Sequence, residues 1–169
     1  MTVVLPTGEI VKLGATVSKT SSGYSLLNLM IGSEGTLGVI TELTLKLIPQ
    51  PKAVISLIIP YETLEDCIAT VPQFFMNHLH PQALEFMEKD VVMDTEKFLG
   101  KKVYPKEMEG VEVGAYLLAT FDGDSEEQLE DIIEAASEVV LEAGAIDVLV
   151  ADTPALKRDA WAVRSALLE

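Results

Sequence analysis

Gly32, Gly35 and Gly38 fall within seven residues, in the run Gly32-Ser33-Glu34-Gly35-Thr36-Leu37-Gly38-Val39-Ile40-Thr41-Glu42. Glycines so spaced, between a helix and a strand, make a loop whose backbone can approach another body closely and present N–H groups to it. No Gly-Lys-Ser/Thr follows, so the run is not a Walker-type phosphate loop. Nor is it a dinucleotide fingerprint, which follows a strand and opens a helix; here the order is reversed. A tight helix-to-strand connection is the plainer use of the same residues. Trp161-Ala162-Val163-Arg164 is the second stretch of interest. At i and i+3 on a helix the two side chains share a face, and a guanidinium against an indole is a common packing pair. His78-Leu79-His80 places two imidazoles at i and i+2 on a helix end, where they do not converge, so no metal site is expected. Glu126-Glu127, Glu130-Asp131 and Glu134 read as a solvated helix face. Cys67, on the apolar side of its helix, reads as a small buried hydrophobe.

The composition narrows what these residues can serve. The chain has 169 residues, with 12 Lys+Arg against 27 Asp+Glu and a net charge of −15. Nucleic acid and anionic lipid both ask for clustered Lys/Arg, so neither is expected as a partner. Hydrophobic residues make up 49%, enough for a packed core and too many for global disorder. With one cysteine, an intramolecular disulfide and a cysteine-ligated zinc or iron–sulfur site are excluded within this chain, which points to a reducing, cytoplasmic setting. The longest apolar runs are strand-sized, short of the ~18–20 residues of a membrane span, and the start lacks the basic stretch of a signal peptide. Mean hydropathy is nevertheless +0.30, high for so acidic a chain, and suggests apolar faces that await a partner.

The elements that must position the two stretches follow from periodicity. Thr2 to Leu13 reads as a hairpin around Pro6-Thr7-Gly8. Tyr24 to Ile31 reads as a short helix after a Ser/Gly turn, and Val39 to Ile48 as a strand with Leu43, Leu45 and Leu47 alternating. Pro49-Gln50-Pro51 is the best boundary in the chain. Beyond it, strands are expected at 54–60, 82–87, 113–122 and 146–151, and helices at 63–78, 125–143 and 155–168. The stretch 90–99 reads as a helix or a loop, and 101–112 as a polar loop. The order β-α-β, connection, β-α-β is the ferredoxin-like pattern, an antiparallel sheet with helices on one face. Residues 1–52 alone leave sheet edges unpaired and a helix face uncovered.

Ser22-Gly23-Tyr24-Ser25-Leu26, followed by Ile31 and the glycine run to Glu42, closely resembles flavoenzymes of the vanillyl-alcohol oxidase type. Within them it is most similar to the branch holding the glycolate oxidase FAD subunit, D-lactate dehydrogenase and D-2-hydroxyglutarate dehydrogenase. The resemblance covers the whole chain and implies an α+β fold. Residues 1–52 would be the second half of an FAD-binding domain, and 53–169 the start of a ferredoxin-like cap over the substrate. It implies FAD as cofactor, with the backbone of Glu34, Gly35, Thr36, Leu37, Gly38, Val39 and Ile40 running along it and Val39 and Ile40 near the adenine end. It also implies that Arg164 reaches a substrate carboxylate, a role suited to a rigid bidentate donor.

Two hallmarks of that family have no counterpart here: the N-terminal pyrophosphate-binding loop and the C-terminal His-x-Gly-Asp-Gly-Asn-type motif. The sequence therefore reads as an internal piece of a larger enzyme rather than a naturally short protein, and no catalytic base can be assigned within it. The implied activity of the parent is oxidation of an (R)-2-hydroxy acid, of glycolate or D-lactate type, to the 2-oxo acid. Hydride would pass from C2 to flavin N5 and the electrons onward to a separate acceptor. Taken alone, the piece is expected to be inactive and free of FAD. Its first 52 residues are expected to expose apolar surface, or to pair with a second copy as a homo-oligomer or swapped dimer. Two other readings stand beside this one: a non-catalytic ferredoxin-like small-molecule-binding module, and the ether-lipid synthase branch of the same flavoproteins.

Overall fold

Pro49-Gln50-Pro51 interrupts the chain, and in the computed structural model, which describes residues 1–17, 19, 21 and 23–168, two units meet between Pro49 and Gln50. In the N-terminal unit, β1 (Thr2–Val4) and β2 (Ile10–Lys12) form the expected hairpin. Its turn is closed by Gly8 N–H donating to Leu5 O at 2.8 Å and Leu5 N–H to Glu9 O at 2.9 Å. Helix α1 (Leu26–Met30) is capped by the Ser25 hydroxyl, which accepts from Asn28 N–H. β3 (Val39–Glu42) pairs antiparallel with β1, giving the order β2-β1-β3.

The strand expected over 39–48 is shorter in the structure, because β1 reaches no further than Thr2 opposite Glu42. Leu43, Leu45 and Leu47 keep their alternation but, among the described residues, have no strand to pair with, and all three are exposed. Val3 and Met30 are the buried hydrophobics of this unit, while Leu29, Ile31, Val39 and Ile48 stand in solvent. The apolar surface suggested by the hydropathy lies largely here.

The C-terminal unit runs β4 (Ala53–Tyr61), α2 (Leu64–Met76), β5 (Ala83–Glu88), α3 (Lys89–Leu99), β6 (Glu107–Met108), β7 (Val111–Glu112), β8 (Ala115–Gly123), α4 (Glu126–Glu142), β9 (Leu149–Ala151) and α5 (Pro154–Ser165), with a 3-10 turn over Ala166–Leu168. The main sheet is antiparallel throughout, in the order β5-β8-β4-β9. Three helices start where a hydroxyl caps them: Thr63, Ser125 and Thr153 accept from the N–H of Asp66, Gln128 and Leu156, and Pro154 opens α5. Among the described residues no helix is long and apolar enough to cross a membrane.

Helices cover both faces of this sheet, not one. On the first face Leu57, Ile59, Leu117, Ala119 and Phe121 pack against Cys67 and Phe74 of α2 and Leu129, Ala136 and Val140 of α4. On the second, Ile58, Met87, Tyr116 and Leu118 pack against Val92 of α3 and Ala160 and Val163 of α5. The reason is visible in β4 and β8. Both are apolar on consecutive rather than alternate residues, as strands buried on two faces must be. α3 is a full helix between β5 and β8, and with α5 it supplies the second layer.

The polar stretch 101–112 is also more than a loop. It holds the β6–β7 ribbon, and Glu96 on α3 anchors its start, its buried carboxylate accepting from Val103 N–H at 2.5 Å and Tyr104 N–H at 2.8 Å. Tyr104 in turn donates its hydroxyl to Ala160 O at 3.1 Å, tying the segment to α5. Glu96→Ala leaves two N–H groups without an acceptor. It is expected to lower unfolding free energy by about 2–3 kcal/mol, with Glu96→Gln losing less because one oxygen still accepts. Urea unfolding of the two variants checks this; equal losses would exclude the acceptor role.

Cys67 is fully buried, and burial pushes its thiol from 9.0 up to about 12. Native protein is expected to resist a disulfide reagent at pH 8 and to react with one thiol equivalent only in denaturant. The shift also fixes a sign. The folded state holds this proton above the pH where the unfolded chain releases it, so stability is intact below pH 9 and falls as pH rises toward 12.

Candidate functional site

The glycine run begins where α1 ends. Ile31 turns extended, Ser33 N–H returns to Met30 O at 3.2 Å, and Thr36 N–H and hydroxyl both reach Ser33 O, at 2.9 and 2.6 Å. Glu34 and Gly35 between them both adopt positive φ, 49° and 80°. Gly38 answers a different demand. A Cβ there would stand 2.7 Å from Val3 Cγ1 and 2.9 Å from Val4 O, so the loop can join β3 beside β1 only through a glycine. The result is a backbone ribbon whose side chains Leu37, Val39 and Ile40 are exposed, on an edge strand with one row of backbone groups unpaired in its sheet. A cavity of about 590 Å³ in the same unit is lined by Thr2, Lys12, Gly14, Leu27, Glu42 and Lys46 among others; residues 34–40 take no part in it.

Arg164 lies on α5, over the second face of the C-terminal sheet. Its Nη2 donates to Glu85 Oε2 on β5 at 2.9 Å, with the two side chains 37% and 33% exposed. Trp161, one turn earlier, has a separate partner: its indole N–H donates to Ser56 Oγ at 3.3 Å. Ser56 Oγ lies 2.8 Å from Thr120 Oγ1, and both hydroxyls are buried between apolar neighbours. Register puts Ser56 opposite Thr120, and Glu85 opposite Leu118 two residues along β8, so all lie on one face. The shared helix face of Trp161 and Arg164 is thus spent on two different anchors in the sheet.

Glu85, Ser56 and Thr120 escaped the sequence reading. A signal existed for two of them: Ser56 and Thr120 are hydroxyls set inside apolar runs of strands buried on both faces, where an unpaired hydroxyl is costly. Of the other stretches, His78 and His80 are exposed, with the His80 ring 6.5 Å from Phe75, and the acidic residues of α4 face solvent. Among the described residues no group of three His, Cys, Asp or Glu could hold a metal ion.

An antiparallel sheet sandwiched by two helix pairs, one pair carrying an arginine over the sheet, defines a domain type, and comparison identifies it. Residues 50–169 match the family described as FAD linked oxidases, C-terminal domain, and the chain belongs to it. Over all 169 residues it is 90% identical to a D-lactate dehydrogenase of Anaerostipes hadrus, covering 36% of that protein. It is 42% identical over 150 residues, 89% of this chain and 31% of the relative, to a D-lactate dehydrogenase of Archaeoglobus fulgidus. Among solved structures, p-cresol methylhydroxylase with substrate bound superposes with a TM-score of 0.66 at 15% identity, over 99% of this chain and 39% of its own, which is a likeness of fold. The chain spans about a third of the length of the curated relatives it matches.

Proposed function

We propose that the protein to which this chain belongs is an FAD-dependent dehydrogenase that oxidises an (R)-2-hydroxy acid, of D-lactate or glycolate type, to the 2-oxo acid. The observation that carries this reading is 90% identity, over all 169 residues, to a D-lactate dehydrogenase. The residues present suit part of an FAD site. Gly38 brings the ribbon of Glu34 to Ile40 against β1, leaving an open strand edge and the exposed Leu37, Val39 and Ile40 to lie along an aromatic ring system. Residues 32–42 contain no Lys or Arg and two Glu, so any contact they make with the anionic part of the cofactor is through backbone N–H groups. FAD, when bound, supplies the hydride acceptor. The chain's own share is to line the cofactor with residues 34–40 and to bind the substrate carboxylate with Arg164, which fixes the direction in which C2 is presented.

On this reading residues 1–52 are part of the FAD-binding domain and 53–169 are part of a ferredoxin-like substrate cap. The electrons leave to a separate acceptor. The enzyme works in the cytoplasm, as the single cysteine of this stretch suits, and the exposed apolar side chains of the N-terminal unit are covered in the full protein or by a second copy. The test is the full-length gene product, purified and assayed with a redox dye. The expected result is near-stoichiometric flavin and dye reduction by D-lactate or glycolate, with L-lactate inert. Protein without flavin, or equal rates with both lactate enantiomers, would refute it.

A further inference from the structure

We infer that Glu85 is a positioning residue that holds the Arg164 guanidinium ready for a substrate carboxylate; the inference rests on the substrate-binding reading of Arg164 above. An arginine side chain is long, and a free one loses much rotamer entropy when it grips a ligand through two parallel bonds. Glu85 removes that freedom beforehand. It stands on β5, which pairs with β8 along its whole length from Ala83 to Glu88, so its backbone is fixed. Its carboxylate takes one nitrogen, Nη2, at 2.9 Å. A guanidinium has five N–H donors in a planar fork, so one engaged nitrogen sets the plane and leaves donors for a second carboxylate. Both side chains are about one-third exposed, so a small ligand can reach the pair.

The helix has no need of this ion pair. α5 is held by Ala160 and Val163 in the core, by the Trp161 indole on Ser56 and by the Tyr104 hydroxyl on Ala160 O. An ion pair this exposed adds little to stability beside those contacts. What it does determine is where the guanidinium points.

The experiment uses the full-length flavoenzyme with D-lactate and a dye acceptor, and four variants: Glu85→Ala, Glu85→Gln, Arg164→Ala and the double Glu85→Ala/Arg164→Ala. Glu85→Ala is expected to raise KM roughly tenfold with a smaller change in kcat, at unchanged flavin content and melting temperature. Glu85→Gln should recover most of the loss, since its amide oxygen still accepts from Nη2. In the Arg164→Ala background Glu85→Ala should have no further effect. If Arg164→Ala lowers kcat/KM sharply while Glu85→Ala leaves KM unchanged, the positioning role is wrong and the reading of Arg164 stands. A lower KM in Glu85→Ala would make Glu85 a competitor of the substrate and overturn the role as well. If Arg164→Ala leaves kcat/KM unchanged, it is the reading of Arg164 that fails, and this inference with it.

Discussion

Gly114→Ala is expected to cost the C-terminal unit about 3 kcal/mol, a fall in melting temperature of about 12 °C for a domain of this size. Gly114 sits between the end of β7 and the start of β8, beside the end of β4. The Cβ of an alanine there would stand 2.2 Å from the Glu62 carbonyl oxygen and 3.2 Å from its carbon. Both are backbone atoms, with no flexible side-chain tip to swing aside. The glycine itself is pinned on two sides: its N–H donates to Tyr61 O at 2.8 Å, and its carbonyl accepts from Lys89 N–H at 3.0 Å. Moving it would therefore disturb the end of β4, the start of β8 and the first residue of α3 together. Differential scanning calorimetry checks this, and a shift under about 2 °C would mean that the strand ends relax at little cost.

Gly114 also shows what a sequence withholds. A glycine before a strand reads as punctuation; that it is demanded by a carbonyl 52 residues earlier is a property of the closed sheet. The parts of the fold that were legible are those fixed by neighbours. Thr63, Ser125 and Thr153-Pro154 start their helices through contacts three residues away, and the apolar runs of β4 and β8 announce central strands. The parts missed depend on distant pairing. Residues 43–48 have strand periodicity without a partner strand among the described residues. Tyr104 is buried in a stretch that looks like solvent-facing loop because the Glu96 carboxylate, on the preceding helix, receives its N–H. Helices on the second face were predictable from the missing alternation in β4 and β8, and the inference from the order of elements alone put all of them on the first.

The same division runs through the candidate site. The glycine run is contiguous, so its resemblance to flavoenzymes could be read directly, and Gly38 proves to be required by packing on Val3 as well. The arginine was legible from its place on the helix face it shares with Trp161, but its ion-pair partner was not. Trp161 is its neighbour in sequence, whereas Glu85, 79 residues away, is its partner in space.

Arg164→Ala, in the full-length enzyme, is expected to lower kcat/KM for D-lactate by about 30- to 1000-fold, the loss of roughly 2–4 kcal/mol from a charge-assisted contact in a partly desolvated site. Arg164→Lys should recover little, because an ammonium is a point charge and cannot keep one edge on Glu85 while offering a planar fork to the substrate. Flavin content should stay the same in both variants, since the arginine lies in the unit without the glycine run. A purely structural role predicts the opposite pattern, and the geometry bounds its size. Arg164 and Glu85 are 37% and 33% exposed, so water can solvate Glu85 when the guanidinium is gone, and an ion pair in that setting contributes at most about 1 kcal/mol. The core contacts of Ala160 and Val163 and the Trp161–Ser56 bond remain in place to hold α5. A melting temperature lowered by a few degrees with normal kcat/KM would therefore assign Arg164 to stability alone. A kinetic loss of two orders of magnitude at an unchanged melting temperature cannot come from the Glu85 pair and requires that the guanidinium meet the substrate.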